Sequence, residues 1–420
     1  MAGINTSKSP SNRAVLPYYI SGAILFLLLS QLLLWNAEVL HGHYFSPKLL
    51  AMVHLAALGW GTMVIFGAGH QLLPVIAERK LFNENLAVLT WFLLLAGIGL
   101  LVCGFWTFHS GKLLISGGVL VVLASVGFSI NVFGTAYNQS KKSPQKLFLL
   151  FSSLWLLITV IAGLLLAINL FYPYIERNHL EFLKLHAHAG LAGWFLMLIT
   201  GVSTKLVPMF LLAKSERNEL LFASLILQNL GLLLFVLDGL FFSPHLRLYL
   251  YYLLILVGIV VWILYLFDAY KNRLRKRIEL LMKQTMLSFL SLILALFVVP
   301  ILILSTEPKH AITYGILLFL GWISGIILGK TFKTLPFIVW NTRFASRSGK
   351  EKVPLPSTLY SLKLVRIQTL LYCLSLPLLI VGVSFHWISL TTLSLALWNL
   401  MALLYLINLY KVLRPLFNLK

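Results

Sequence analysis

The chain has few charged residues, very few acidic ones and almost no cysteine. Only 11% of its 420 residues are charged, whereas 60% are hydrophobic, and its mean hydropathy is +0.92. This composition excludes an ordinary soluble domain and indicates a protein that crosses a lipid bilayer many times. The two cysteines, Cys103 and Cys373, fall in apolar segments. They exclude a disulfide framework and a CxxC metal or redox motif.

The shortage of acidic residues leaves a net charge of +21, with 33 Lys and Arg against 12 Asp and Glu. Recognition of nucleic acid requires basic residues gathered on one soluble face. Here they lie between apolar segments, so we expect no nucleic-acid partner. If the N-terminus is cytoplasmic, the outer side holds only six basic residues, namely Lys48, Lys112, Arg177, Lys184, Arg247 and Lys309. The positive-inside rule therefore predicts that both termini are cytoplasmic, a topology that suits a bacterial cytoplasmic membrane.

The apolar runs predict an all-α, multi-pass membrane protein with twelve transmembrane helices. The expected spans are 16–38, 49–74, 86–107, 113–136, 147–171, 183–211, 219–242, 247–269, 280–304, 311–336, 358–384 and 387–410. The basic segment 341–356 is expected to be a cytoplasmic loop.

One frame of residues recurs in the second, sixth and tenth spans. It consists of a Gly-Trp pair, a glycine seven residues after the tryptophan and a proline seven residues after that glycine. The three Gly-Trp pairs begin at Gly59, Gly193 and Gly321. We expect the glycines to permit close helix approach, the tryptophans to fill volume and the prolines to end or kink the helices.

The three copies are 134 and then 128 residues apart. That distance is too long for a solenoid repeat and matches a block of four membrane helices. The frame therefore predicts a single membrane domain built from three quasi-equivalent blocks of four helices, approximately 16–136, 147–269 and 280–410.

Two copies of the frame carry a histidine five residues before the first glycine. These are His54 and His188, whereas Ile316 takes this position in the third copy. An ionisable residue within a membrane usually faces the interior of the helix bundle and has a function there. We expect the two imidazoles to face each other across a gap, which is a standard arrangement for six-coordinate haem iron. The alternative is that each histidine forms a hydrogen bond between helices.

His186 stands two residues before His188, and residues two apart on a helix project about 200° apart. His186 and His188 cannot easily bind one metal together, but they can serve two different sites, one on each side of the sixth span. In the first outer loop, His41 and His43 form an HxH pair that could contribute to an outer site for copper or another metal. The alternative for this pair is simple solvation. Ten of the eleven histidines, including His109 and His245, are expected on the outer side, and only His70 lies toward the inner end.

The stretch HAHAGLAGWFLMLITGVSTKLVP, from His186 to Pro208, resembles a helix of haem-copper oxidase subunit I. The similarity is to the C-type oxidases and related nitric oxide reductases, whose helix carries HxH, Gly-Trp, a glycine and a Leu-Val-Pro ending. His54 and the segment GAGHQLLP at 67–74 resemble the second helix of that family. NnrS proteins, which belong to the same broad superfamily and are associated with nitric oxide metabolism, also begin a span with His-x-His.

This resemblance implies that His54 and His188 are the axial ligands of a low-spin haem b. It also implies that His186 is the proximal ligand of a second, high-spin haem. The family places its HxH helix tenth, whereas here it is sixth, and the copper-ligating histidines of the family are missing from the seventh span, which offers only Asp238. The resemblance thus implies a divergent member without a complete copper site.

The leading hypothesis is a haem-binding protein with redox or gas-ligand chemistry, on O2 or NO, near the outer face. If it is an enzyme, it is a haem-dependent oxidoreductase that receives electrons from a donor protein or another membrane subunit. The chain lacks CxxCH, so any c-type haem must belong to another polypeptide. The alternatives are a transporter or assembly factor for a metal or haem, and a structural subunit without a cofactor.

Overall fold

The computed structural model describes residues 9–108, 111–137, 143–213, 215, 217–242 and 246–417. Within these ranges twelve helices are long and apolar enough to cross a membrane, which confirms the predicted all-α class and the number of spans. We name them α1 to α12 in chain order. They are Asn12–Trp35, Pro47–Ala77, Glu84–Thr107, Gly111–Ala136, Pro144–Phe171, His179–Leu211, Asn218–Phe241, Arg247–Lys271, Leu280–Leu304, Pro308–Arg343, Leu362–Ser384 and Ile388–Phe417.

The frame prolines do not all end their helices. After Pro74 and Pro208, the chain leaves the helix four residues later, where Glu78 and Leu212 adopt left-handed conformations. α10 instead continues past Pro336 to Arg343, so the predicted end of this span at 336 is wrong. A proline removes one backbone donor but does not forbid the following turns. The presence of a proline therefore did not fix the helix end.

Three helices, α2, α6 and α10, are more buried than the other nine described helices. α2 packs against α1, α3 and α4, while α6 packs against α5, α7 and α8. α10 packs in the same way against α9, α11 and α12, and α1 packs against α12. The frame residues therefore lie on the three most buried helices, which we call the inner helices. Cys103 and Cys373 are exposed on the outside of α3 and α11.

The frame glycines allow close helix packing, as expected. A Cβ atom at Gly193 would lie 2.6 Å from Trp155 of α5, and one at Gly321 would lie 2.7 Å from Ser291 of α9. Both distances are too short for a real side chain, so each of these glycines lets an inner helix approach the helix that precedes it. At both glycines the close neighbour is thus one of the less buried, outer helices.

The three frame tryptophans are fully buried, and two of them form hydrogen bonds between inner helices. Trp60 of α2 donates its indole N–H to Ser324 Oγ of α10 at 2.9 Å. Trp194 of α6 donates in the same way to Thr62 Oγ1 of α2 at 3.1 Å. The indole Nε1 of Trp322 is buried and has no acceptor among the described residues. The tryptophans therefore do more than fill volume, since two of the three also form interhelical hydrogen bonds.

Candidate functional site

Each inner helix contains an eight-residue π-helical segment at the frame. The segments are Leu55–Thr62 in α2, Ala189–Leu196 in α6 and Ile316–Ile323 in α10. The first two begin directly after His54 and His188. π-Helical geometry is rare and is often found at functional sites. The sequence did not predict this π-helical geometry, because the three segments contain no proline and are as apolar as the surrounding turns.

The structure brings His54 of α2 together with His186 of α6. Their ring centroids are 6.3 Å apart and their ring planes differ by 17°. The expected partner of His54 was His188, so the pairing between the two helices differs from the prediction. His186 and His188 project from different sides of α6, as their spacing indicated, and it is His186 that faces α2.

Backbone carbonyl groups fix the tautomer of both paired histidines. His54 Nδ1 lies 2.8 Å from the Leu50 carbonyl oxygen, and His186 Nδ1 lies 2.9 Å from that of Thr159 in α5. A carbonyl oxygen can only accept, so each Nδ1 carries the proton and donates it. The lone pair of each ring therefore resides on Nε2. A metal-binding histidine commonly has this form, in which one ring nitrogen is anchored to a carbonyl and the other is free to ligate.

Neighbouring helices hold the two rings in place. The Phe105 ring of α3 stacks on His54, with centroids 4.7 Å apart and an interplanar angle of 27°. Gly163 of α5 makes room for His186, because a Cβ atom at this glycine would lie 2.7 Å from the Cε1 atom of the imidazole. Both histidine rings remain half-buried. The site thus draws side chains or backbone from α2, α3, α5 and α6.

His188 lies at a second interface, between α6, α7 and α10. Its ring stacks on Tyr314 of α10 at 6.0 Å with an interplanar angle of 24°, and it meets Phe235 of α7 edge-on at 5.4 Å. Its Nδ1 lies 2.8 Å from the Lys184 carbonyl oxygen, so its lone pair also resides on Nε2. His188 therefore has the same tautomer as His54 and His186, but the ring that faces it is the phenol of Tyr314 and not a second imidazole.

His54 and His188 meet residues at equivalent frame positions. His54 faces His186, which stands two residues before the frame histidine of α6. His188 faces Tyr314, which stands two residues before Ile316, the corresponding frame residue of α10. Each frame histidine thus contacts the next inner helix around the bundle. Two residues at the same frame position therefore face successive interfaces and not each other.

The two histidines of the HxH pair in the first loop have different neighbours. His41 lies 5.7 Å from His386, measured between ring centroids, and its Nε2 is 3.1 Å from Thr391 Oγ1. His43 is exposed, stacks on Tyr44 and accepts a hydrogen bond from the backbone N–H of Phe45. The two rings therefore have separate surroundings, which does not favour an outer copper site built from both.

Other described histidines have polar partners of their own. His70 is buried 3.4 Å from the side-chain amide of Asn131, and His179 is 3.1 Å from that of Asn169. His310 Nδ1 is 3.0 Å from Ser305 Oγ. His109 and His245 lie outside the described residues. Within the described ranges, no three side chains of His, Cys, Asp or Glu come together as a metal site would require.

The roles of three residues near these histidines could not be predicted from the sequence. Thr159 contributes only its carbonyl oxygen, and any residue type supplies that group. Gly163 resembles the many other glycines of the apolar helices, and Tyr314 lies in a helix whose frame position has no histidine. Their roles depend on which helices are neighbours, and that is a property of the tertiary structure.

Comparison with known proteins gives little guidance on function. No model of a known protein family matches the chain. The chain is 25% identical over 336 residues to an uncharacterized protein of Aquifex aeolicus (strain VF5), a match that covers 78% of this chain and 79% of that protein. The similarity extends over most of both proteins but shows neither a family nor an activity.

Proposed function

We propose that this chain is a haem-binding membrane protein in which His54 and His186 are the two axial ligands of one haem b. The observation that supports this proposal is the pair of half-buried imidazoles on α2 and α6, each with its Nδ1–H donated to a carbonyl group. Each ring then offers a lone pair on Nε2. This assignment keeps two of the three histidines suggested by the resemblance to haem-copper oxidase subunit I and changes their pairing.

The spacing of the two rings fits ligation of a single iron atom. Two imidazoles on opposite sides of a metal, each bonded at about 2 Å, have their centroids about 6 Å apart. The observed separation is 6.3 Å, and the ring planes are nearly parallel. The anchored Nδ1–H groups keep both imidazoles oriented and make them more basic ligands.

When bound, the haem would supply one-electron redox chemistry or a binding place for a gas such as O2 or NO. The protein's own contribution is to hold both imidazoles neutral and oriented and to surround them with apolar helices. A haem held by both His54 and His186 would favour electron transfer over gas binding. His188, with a free Nε2 at a different interface, is the residue that could serve a second haem with an open position.

We also propose that the chain consists of three quasi-equivalent blocks of four helices with both termini in the cytoplasm of a bacterium. The matching contacts of α2, α6 and α10 with the other helices support the blocks. The repeated pairing of His54 with His186 and of His188 with Tyr314 supports the same conclusion. The excess of basic residues on one side supports the orientation. An electron-donor protein or membrane subunit would complete the redox reaction.

The decisive experiment compares three single alanine variants with the wild-type protein purified in detergent. We expect the reduced-minus-oxidised visible spectrum of the wild type to show a low-spin b-type haem. His54→Ala and His186→Ala should each abolish that signal, while His188→Ala should retain it. His43→Ala is a matched control, because this exposed histidine has no part in the site.

The outcomes separate the possible pairings. Loss of the signal in His188→Ala with retention in His186→Ala would restore the pairing of His54 with His188. A wild-type protein without haem would refute the proposal. If such a protein instead carried a readily exchanged metal ion, the transport alternative would be favoured, and a protein with no cofactor would favour a structural role.

A further inference from the structure

A pair of histidines outside the membrane helices connects the loop after α1 with the loop before α12. His41 ends the short helical turn Ala37–His41 that follows α1, and His386 lies in the turn between α11 and α12. The two ring centroids are 5.7 Å apart, with an interplanar angle of 43°. α1 and α12 pack against each other, which brings these two loops together. This pair is separate from His54 and His186.

The hydrogen bonds around His41 determine its tautomer. Thr391 Oγ1 lies 3.2 Å from the Trp387 carbonyl oxygen and 3.1 Å from His41 Nε2. A hydroxyl has one proton, and the carbonyl group can only accept it. Because Thr391 donates its proton to this carbonyl, it accepts from His41 Nε2–H, which leaves the lone pair of the ring on Nδ1.

The lone pair of His41 has no donor to satisfy it. Nδ1 is buried and has no hydrogen-bond partner among the described residues. Burial of an unsatisfied polar atom destabilises the fold, so such an atom calls for an explanation. The arrangement of a ring N–H anchored by a hydroxyl, with the other nitrogen bare, is typical of a histidine that binds a metal.

His386 is well placed to provide the second ligand. Its side chain is exposed and can turn toward His41, and its backbone has a φ of 53°. Left-handed backbone conformations are uncommon for residues other than glycine. The turn between α11 and α12 therefore presents this histidine in a conformation that a glycine would adopt more easily.

We propose that His41 and His386 together bind a divalent transition-metal ion, with water completing its coordination. Imidazole nitrogen suits Zn²⁺, Cu²⁺ and Ni²⁺. The two rings approach each other at about the distance expected of two imidazoles on one metal, with bonds of about 2 Å. The ion would join the loop after α1 to the loop before α12 and so stabilise the closed bundle.

Metal binding to the full-length protein in detergent tests this site, after treatment with a chelator. Cu²⁺ is the probe, because its paramagnetic spectrum reveals nitrogen ligands, and Ni²⁺ and Zn²⁺ are compared through the shift in melting temperature. We expect the wild type and His43→Ala to show nitrogen-ligated Cu²⁺ and a rise in melting temperature with metal. His386→Ala should weaken Cu²⁺ binding at least about tenfold and abolish the rise.

His41→Ala should have the same effect as His386→Ala. Thr391→Val should weaken binding less, because it releases the anchored Nε2–H but leaves both rings. Since His386 is exposed, its variant is expected to fold even if His41→Ala does not. Equal Cu²⁺ binding in the wild type and His386→Ala would overturn the proposal, and so would loss of binding in His43→Ala alone or no binding in the wild type. None of these results depends on the presence of haem.

Discussion

The three frame tryptophans provide a controlled comparison of a made and an unmade hydrogen bond. Trp194 donates to Thr62, whereas Trp322 has no acceptor among the described residues. α6 has Leu196 two residues after its tryptophan, at the position where α2 and α10 have Thr62 and Ser324. Because the tryptophan of α2 donates to α10 and that of α6 donates to α2, the same pattern would pair Trp322 of α10 with α6. Leu196 of α6 has no hydroxyl group to accept this hydrogen bond.

We predict that Trp322→Phe destabilises the protein less than Trp194→Phe. Both indoles are fully buried, with 1% and 2% of their surfaces exposed, so the loss of packing is similar. Trp194→Phe also loses an interhelical hydrogen bond, which contributes about 0.6 kcal/mol on average in a membrane protein. Trp322→Phe removes an unsatisfied donor, whose burial costs at least about 1 kcal/mol. The difference between the two variants should be roughly 2 kcal/mol.

The assay is unfolding in mixed micelles of mild detergent and dodecyl sulfate, followed by far-ultraviolet circular dichroism. A double-mutant cycle of Trp194→Phe with Thr62→Val isolates the hydrogen bond, because valine has nearly the shape of threonine but lacks the hydroxyl. We expect a coupling energy of about 0.6 to 1.7 kcal/mol. Equal costs for Trp194→Phe and Trp322→Phe, or a coupling energy of zero, would refute the reasoning.

Two further predictions concern glycines, with Gly99→Ala as a control because a Cβ atom there meets nothing within 4 Å. Gly163→Ala should displace the imidazole of His186, because the added Cβ atom would lie 2.7 Å from its Cε1 atom. We expect weaker haem absorbance with unchanged helix content. An unchanged haem spectrum would contradict the proposed site. Gly193→Ala should lower the free energy of unfolding by about 1–3 kcal/mol, because its Cβ atom would overlap Trp155. Gly99→Ala should be neutral or slightly stabilising. If Gly193→Ala and Gly99→Ala lowered the free energy of unfolding equally, the close approach of α5 and α6 would not contribute to stability.

Much of the fold could be read from the sequence. The twelve helices were predictable because each apolar run is long enough to cross a bilayer and is bounded by charged residues or loops. The burial of α2, α6 and α10 was indicated by the frame, since glycine and tryptophan at fixed offsets mark packed surfaces. The helix ends were less predictable, as Pro336 shows, because a proline only removes one donor and local packing decides whether the helix continues.

The sequence by itself determined that His186 and His188 occupy opposite sides of α6, because helical geometry separates them by about 200°. It did not determine which of them meets His54. Only the tertiary structure placed His54 against His186 and His188 against Tyr314, because each inner helix turns the same face toward the next helix around the bundle. For the same reason, the contact between His41 and His386 could not be foreseen: it arises where the first and last helices pack together.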